Sequence, residues 1–374
     1  AEGIASIAFF AIYWVLNSAI DLINAVYVER QKLAYDAAVN LGHRALGALL
    51  GIVLVLEFRN VFVVAISYAS AAAVSLIVTS AIVFWKFNIR PFPSLGTGRV
   101  RHLFFEAVPL MFAMFFSFVY FHMDVLMLKG LTTDEIAGWY VAAFRILEFT
   151  MLLPGAAAMV IMPYFATQFT KDKDNLVIVS GNLVRLLFAT GFFISFILVT
   201  LAGRMISLFG KDFGADSEMA LQILIWTVPL IYVDYVLIYL LVASGRQKKN
   251  VVAAAFCTLL NVVLNYALIP VLSYKGAAIA TIITQVLLMA MSARFVRDPL
   301  PTFRMLRYIS RVAPAGLLGA VAFWFVRGWT PEIACLLTLA VFVVGLLVFK
   351  GIERNDMGLL RKLIARRDAN LSAD

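Results

Sequence analysis

The sequence predicts an all-α integral membrane protein, a polytopic helical bundle with about eleven transmembrane helices. Apolar residues make up 63% of the 374 residues and charged residues only 14%, whereas soluble domains carry roughly 45–50% and 25%. The apolar residues form runs long enough to cross about 30 Å of hydrocarbon as helices. Lys and Arg concentrate in alternate loops between these runs, 22 against 6, as expected for loops that face the cytoplasm.

The runs are continuous rather than alternating, which favours helices over the strands of a membrane barrel. In chain order they lie at 3–28, 36–57, 61–85, 105–128, 137–165, 176–202, 217–244, 250–270, 276–296, 309–327 and 332–350. Pro109, Pro154, Pro229 and Pro270 fall within runs, where a missing backbone N–H is expected to interrupt a helix.

The charge bias predicts that the C-terminal tail is cytoplasmic and residue 1 is outside. It also accounts for the net charge of +9 as a signal of topology, so we expect no nucleic-acid partner. Membrane lipids are the expected surroundings.

The sequence contains few residues in patterns that would support a cofactor or an enzymatic reaction. Cys257 and Cys335 lie in apolar runs outside any CxxC pattern, and the three histidines are scattered, so neither a redox pair nor a zinc site is predicted. We expect no cofactor, no metal centre and no enzymatic activity, although coupling to H⁺ or Na⁺ stays open.

The tripeptide Arg-Gln-Lys occurs twice, at 30–32 and 246–248, and the two copies are 216 residues apart. Sliding the chain by this offset also superposes run 36–57 on 250–270. Six crossings separate the copies, which predicts a parallel repeat about an axis along the membrane normal. The predicted organisation is the last three helices of a first lobe (1–90), a cytoplasmic linker (91–104), a six-helix second lobe (105–297), two extra helices (298–350) and a basic cytoplasmic tail (351–374).

The same offset predicts partners for runs 105–128, 137–165 and 176–202 ahead of residue 1. We therefore expect an N-terminally truncated chain that holds eleven of fourteen helices.

Four stretches in this order resemble the polysaccharide-export branch of the MOP superfamily: "AGWYVAAFRILEFTMLLPGAAAMVIMPYFA", "LFGKDFGADSEMALQILIWTVPL", "LLVASGRQKKN" and "NVVLNYALIPVLSYKGAAIATIITQ". The resemblance implies a MATE/MOP-like transporter with two lobes that rock around a central cavity in the bacterial cytoplasmic (inner) membrane. It implies a Wzx-type flippase that moves an undecaprenyl-pyrophosphate-linked oligosaccharide, an O-antigen, capsule or exopolysaccharide unit, to the outer leaflet. Polysaccharide polymerase or export machinery would be its protein partner. Gln285 departs from the family pattern, which more often has an acid there.

Charged residues inside transmembrane helices mark pathways or ion pairs, because burying them in lipid is costly. Arg145 and Glu148 have i, i+3 spacing and share a helix face. They are either a neutralised structural pair or an arginine held ready for an anionic headgroup. A guanidinium suits a pyrophosphate because its planar fork donates two parallel hydrogen bonds.

Arg185 and Arg44 stand further inside runs without an acid on the same face. Either they extend to the interface, or they make the cytoplasmic half of a cavity cationic and bind the same headgroup.

Asp234 and Asp124 are candidates for ion coupling, because a carboxylate within the membrane binds a proton or a cation. Pairing with an arginine of a neighbouring helix is the alternative for Asp234. Asn261 and Asn265, spaced i, i+4, are interpreted as hydrogen-bonding groups between helices.

Two other functions stay open, and a third is disfavoured. A MATE-type drug or cation antiporter of the same fold would need an acid-rich cavity and no membrane arginines, and a peptidoglycan lipid-precursor flippase would need the same residues as the exporter. A membrane enzyme acting on polyprenyl phosphates is disfavoured, because Asp172 and Asp174 lack the paired spacing that would hold a divalent metal.

Overall fold

The structure, a computed structural model, describes residues 2–30, 32–88, 97–210 and 213–351. Within these ranges the chain is helical and contains no strand, which confirms the predicted all-α fold. The first helices are α1 (Glu2–Glu29), α2 (Leu33–Phe58), α3 (Val61–Phe87), α4 (Thr97–Leu131), α5 (Asp134–Thr150), α6 (Leu152–Lys171), α7 (Lys173–Thr200) and α8 (Ala202–Ser207). The others are α9 (Ala215–Leu224), α10 (Val228–Ala243), α11 (Gln247–Leu272), α12 (Tyr274–Val296), α13 (Met305–Ile309), α14 (Ala313–Val326) and α15 (Pro331–Val348).

All eleven predicted runs are helical. Among the described residues, nine segments are long and apolar enough to cross a membrane. The other two runs correspond to α4, which has 35 residues, and to α14, which has 14 and is about 21 Å long at 1.5 Å per residue. The protein is therefore a polytopic helical membrane protein. Most of the predicted basic tail lies outside the described residues, as does Gln31 of the first Arg-Gln-Lys copy.

The chain forms two compact units, Ala1–Phe105 and Glu106–Asp374. In the first unit, α1 and α2 both pack against α3. A buried polar chain ties α1 to α3: the Tyr27 hydroxyl lies 2.9 Å from Thr79 Oγ1, which donates to Asn24 Oδ1 at 3.0 Å. Buried polar groups in lipid must find such partners, so these hydroxyls fix how the two helices meet.

The second unit is built around α7 and α10, which pack closely along their length. Gly191 makes this approach possible, because a Cβ atom there would lie 2.5 Å from the Cα atom of Pro229. Helices α13, α14 and α15 also pack on α7, so the two helices predicted as extra belong to the second unit.

The run 137–165, predicted as one helix, is divided into α5 and α6 at Met151. The Met151 N–H bonds Glu148 O at 3.0 Å instead of the carbonyl four residues back. Pro154 has no N–H to offer the carbonyl of Thr150. Two hydroxyls replace the lost donors: Thr150 Oγ1 donates to Leu147 O and Tyr232 OH donates to Thr150 O, both at 2.7 Å.

The run 217–244 is interrupted in the same way, because a turn of 3₁₀-helix at Ile225–Thr227 separates α9 from α10. Pro229 removes the N–H that would reach Ile225 O, and Ser195 Oγ donates to that carbonyl at 2.9 Å. The breaks predicted at Pro154 and Pro229 are therefore present, and a hydroxyl from a neighbouring segment compensates each one. The prediction is wrong for Pro109 and Pro270, which lie within the continuous helices α4 and α11.

Helices α11 and α12 form a tight hairpin. A Cβ atom at Gly276 would lie 2.5 Å from Leu268 O, so the hairpin requires glycine at its closed end. At its open end, Asp298 bonds Lys249, Arg294 Nη1 at 3.0 Å and Arg246 Nη1 at 3.5 Å. The second Arg-Gln-Lys copy thus lies at the start of α11, where Asp298 links that end of α11 to the end of α12.

Candidate functional site

The second unit contains a carboxylate, Asp124 of α4, that is 2% exposed. Tyr140 OH of α5 donates to Asp124 Oδ2 at 2.8 Å, and Thr281 Oγ1 of α12 donates to the same oxygen. Asn265 Nδ2 of α11 donates to Oδ1 at 2.6 Å. Four helices therefore meet at one carboxylate, and both of its oxygens have partners.

The polar contacts continue from Asp124 along the α11–α12 hairpin. Asn265 Nδ2 also reaches Asn261 Oδ1 at 2.9 Å, and Asn261 Nδ2 lies 3.5 Å from Thr284 Oγ1. Asn265 Oδ1 has no hydrogen-bond partner in the described part of the chain. The two asparagines thus bond between helices, as interpreted from the sequence, but they do so as part of the surroundings of Asp124.

This cluster has the chemistry of a site for a small hard cation. Carboxylate, amide and hydroxyl oxygens are the ligands such ions prefer, and the unpartnered Asn265 Oδ1 is one that a cation would use. The described residues contain no group of three or more His, Cys, Asp or Glu side chains able to hold a metal.

Asp234 of α10 is 4% exposed, and the side chains of Ser292 and Gln285 from α12 lie beside its carboxylate. Within the described residues, neither Asp234 Oδ1 nor Ser292 Oγ has a hydrogen-bond partner. No ion pair with an arginine is recorded for Asp234 in this part of the chain, where the sequence left that alternative open. The position that more often holds an acid in the resembling family, Gln285, is thus next to a buried acid from another helix.

Arg145 and Glu148 form an ion pair on α5, with Nη1 and Oε2 at 2.7 Å. The arginine side chain is 62% exposed and the glutamate 29%. Both line a cleft of about 160 Å³ that is otherwise apolar and aromatic, with Phe118, His122, Val125, Leu126, Val141 and Phe144. The guanidinium is therefore held by its partner and is not buried within its unit.

The other two arginines lie elsewhere. Arg185 in α7 is 1% exposed, so it does not reach the surface of its unit, and it does not line the cleft of Arg145. Arg44 in α2 is exposed and belongs to the first unit. The grouping of both with Arg145 as headgroup ligands stays a prediction.

Sequence reasoning missed Tyr140, Thr281 and Thr284, the hydroxyl groups around Asp124 and Asn261. Tyrosine and threonine are common in apolar runs, and their role depends on which helices meet. One pattern was visible: Thr281, Thr284 and Gln285 share one face of α12 by their i, i+3, i+4 spacing. Asn261 and Asn265 share a face of α11 in the same way.

Comparisons with known proteins agree with this architecture. Residues 3–169 match the family model of polysaccharide biosynthesis proteins, and residues 109–267 match the MatE family model. No curated protein matches the chain. Among solved structures, the lipid II flippase MurJ in an inward closed conformation is similar with a TM-score of 0.68, over 94% of this chain and 73% of that chain, at 14% identity.

Proposed function

We propose that the chain belongs to the MOP superfamily of membrane transporters and is a flippase for a lipid-linked oligosaccharide, as the two family-model matches and the shared fold support. The proposed substrate is an undecaprenyl-pyrophosphate-linked repeat unit of a surface polysaccharide. It would move from the cytoplasmic to the outer leaflet of the bacterial inner membrane by alternating access. The match to polysaccharide biosynthesis proteins over residues 3–169 supports this substrate class over a drug or cation.

The observation that carries the proposal is the accessible Arg145, held by Glu148 in an aromatic cleft. A guanidinium donates two parallel hydrogen bonds to a phosphate, and the surrounding apolar side chains suit the prenyl chain beside it. The peptidoglycan lipid precursor carries the same pyrophosphate and is the second candidate, favoured by the fold that the chain shares with the lipid II flippase.

Ion coupling is proposed at Asp124, with Asp234 as a second site. Asp124 connects four helices of one unit, so a cation or proton bound there would alter how α4, α5, α11 and α12 pack. An ion can drive a conformational change only through such a difference in binding between two states. Na⁺ and H⁺ use the same oxygens, and titration with each separates them.

Deletion of the gene in its host tests the proposal. The expected result is accumulation of lipid-linked oligosaccharide on the cytoplasmic leaflet with loss of surface polysaccharide. Drug hypersensitivity with unchanged polysaccharide would show an antiporter instead. Cell lysis with accumulated peptidoglycan precursor would favour the second candidate.

Complementation with Arg145 variants tests the site. Arg145→Lys keeps the charge but loses the fork, so we expect partial activity, and Arg145→Ala should be inactive. The double exchange Arg145→Glu with Glu148→Arg rebuilds the ion pair and should still fail, because the guanidinium then occupies another position. Arg204→Ala is the matched control, since Arg204 is an accessible arginine paired with Glu332 outside the cleft. Full activity of the exchanged pair would show that Arg145 is only structural.

A further inference from the structure

The helix α5 is held by tyrosine hydroxyls at two places, on either side of the Arg145–Glu148 pair. Tyr140 OH donates to the Asp124 carboxylate at 2.8 Å, and Tyr232 OH donates to Thr150 O at 2.7 Å. Tyr140 and Thr150 are ten residues apart, about 15 Å along a helix. Arg145 lies midway between them.

Both tyrosines are fully buried, at 0% exposure, and both hydroxyls bond to groups of another helix. A buried hydroxyl in such a place is costly to leave without a partner, so each contact strongly fixes the relative position of the two helices. Phe144 extends the contact at Tyr140. Its ring stacks on the Tyr140 ring at 6.1 Å between centroids and contacts the His122 ring at 6.2 Å. Side chains on one face of α5 are therefore in continuous contact from Asp124, through Tyr140 and Phe144, to the cleft.

The C-terminal end of this segment, at Thr150 and Met151, is a weak point rather than a rigid continuation of the helix. Pro154 leaves the Thr150 carbonyl without its helical donor, and Met151 bonds Glu148 O in a tighter turn. Only side-chain hydroxyls replace the missing backbone bonds at Leu147 O and Thr150 O. Proline and a side chain inserted into the backbone hydrogen-bond ladder are the usual causes of a sharp bend in a helix, and both are present at this break.

The helix that supplies Tyr232 also carries Asp234, two residues later and therefore on a different face. Tyr232 bonds the break, whereas Asp234 lies beside Ser292 and Gln285 of α12. Helix α10 thus contacts the break on one side and a second buried carboxylate on another.

We propose that α5 is the lever that couples ion binding at Asp124 to the position of Arg145, and that Tyr140 and Tyr232 are the positioning residues at its two ends. This inference rests on the proposed function, since it takes Asp124 as the ion site and Arg145 as the headgroup site. Tyr140 transmits the change at Asp124 into α5. Tyr232 holds the far end at α10, so that α5 swings about Met151 and moves the guanidinium.

Hydrogen exchange of the full-length chain in lipid nanodiscs tests the break without any substrate. Tyr232→Phe removes one oxygen, and amides of residues 147–156 should exchange at least several-fold faster. Tyr235→Phe on the same helix is the control and should leave them unchanged. Pro154→Ala returns a backbone donor to the Thr150 carbonyl, so in that background Tyr232→Phe should have little further effect. Equal exchange in Tyr232→Phe and wild type, or additive effects of the two changes, would overturn the assignment of Tyr232.

Binding of farnesyl pyrophosphate, a short prenyl pyrophosphate, tests the coupling. In wild type, its Kd measured in choline and its Kd measured in Na⁺ should differ by about 5- to 150-fold, the usual range for coupled sites. If H⁺ is the ion, the same ratio is taken between two pH values. Tyr140→Phe and Tyr232→Phe should bring this ratio close to one, whereas Tyr235→Phe should keep it. A simple loss of structure would weaken binding under both conditions and leave the ratio unchanged.

The outcomes separate this inference from the proposed function. Binding that depends on Arg145 but has the wild-type ratio in both tyrosine variants would overturn the lever and keep the flippase. A wild-type ratio of one would also overturn the lever. Binding that is indifferent to Arg145→Ala would contradict the proposed headgroup site, and the exchange measurement would still decide the role of Tyr232.

Discussion

At the scale of single residues, the structure distinguishes membrane charges that the sequence could only group together. Arg145 is accessible, Arg185 is buried and Arg44 is exposed in another unit. Asp124 has partners for both oxygens, whereas Asp234 Oδ1 has none among the described residues. Identity and spacing marked these residues as candidates, but their burial depends on which helices pack together, which a single sequence does not contain.

Replacement of Asp124 by Asn should remove ion-dependent stability and leave the fold intact. The amide has nearly the same shape, and Tyr140 and Thr281 can turn their hydroxyls to accept its N–H groups. Na⁺ at a hundred times its Kd stabilises a protein by about 2.7 kcal/mol, so the wild type should show a Na⁺-dependent rise in Tm that the variant lacks. Asp298→Asn, far from the site in sequence, is the control and should keep the rise. A Na⁺ response in Asp124→Asn equal to wild type contradicts the site.

The two arginines assigned to the same role should differ in their effect on stability. Arg185→Ala removes a guanidinium that is buried, and leaving buried hydrogen-bonding groups without their partner costs roughly 1–3 kcal/mol. Arg44→Ala changes an exposed side chain, for which about 0.5 kcal/mol or less is usual. Thermal unfolding in detergent measures both, and similar Tm values for the two variants would show that Arg185 is not structurally important.

At the scale of helices, the apolar runs predicted where the long helices lie, whereas prolines predicted only some of the places where a run is interrupted. All eleven apolar runs are helices, and Pro154 and Pro229 do interrupt two of them. However, the exact break in α5–α6 depends on Tyr232, which is 82 residues away from Thr150. The polar cluster could be predicted only in part for the same reason: Asp124, Asn261 and Asn265 stand out in apolar runs, whereas Tyr140 and Thr281 do not.

Glycine at helix contacts gives a direct test of the packing. Gly191→Ala places a methyl group 2.5 Å from the Pro229 Cα atom, and backbone cannot yield as a flexible side chain can. We expect the α7–α10 contact to separate, with a loss of roughly 1–3 kcal/mol as for other overpacked sites. Gly138→Ala in α5 is the matched control, because nothing lies within 4 Å of its added Cβ, and it should be neutral or stabilising. Unfolding measurements with equal results for the two variants would refute the close approach.

The open end of the α11–α12 hairpin should be sensitive to acid. Lys249 and then Arg294 hold the pKa of Asp298 below its usual value. A carboxylate with a lowered pKa stabilises the fold above its unfolded pKa, and the effect disappears as the pH falls through the folded value. Acidification should therefore lower the stability of the wild type by a small amount. The Asp298→Asn variant lacks this contribution at every pH. Tm measured against pH should show the two curves converging at low pH, and parallel curves would exclude a role for this residue.

At the scale of the whole molecule, the charge distribution predicts the orientation of the chain. The excess of Lys and Arg places the turn between α6 and α7 and the start of α11 in the cytoplasm. The turn between α4 and α5 and the one between α14 and α15 should then be outside. Function depends on this orientation, because a flippase must accept its substrate on the side where the substrate is made.

Labelling of single cysteines tests this orientation. In a background with Cys257→Ala and Cys335→Ala, cysteines replace Lys173, Lys248, Gly130 or Gly328, all outside the helix interiors or at their ends. A membrane-impermeant maleimide should label the cysteines at 130 and 328 in intact spheroplasts, and those at 173 and 248 only in inverted vesicles. The reverse pattern would show that the chain crosses the membrane in the opposite orientation. The 22 basic residues would then be outside, against the rule that orients membrane proteins. The proposed direction of transport would then be wrong as well, because the Arg145 cleft belongs to the second unit and would be inverted with it.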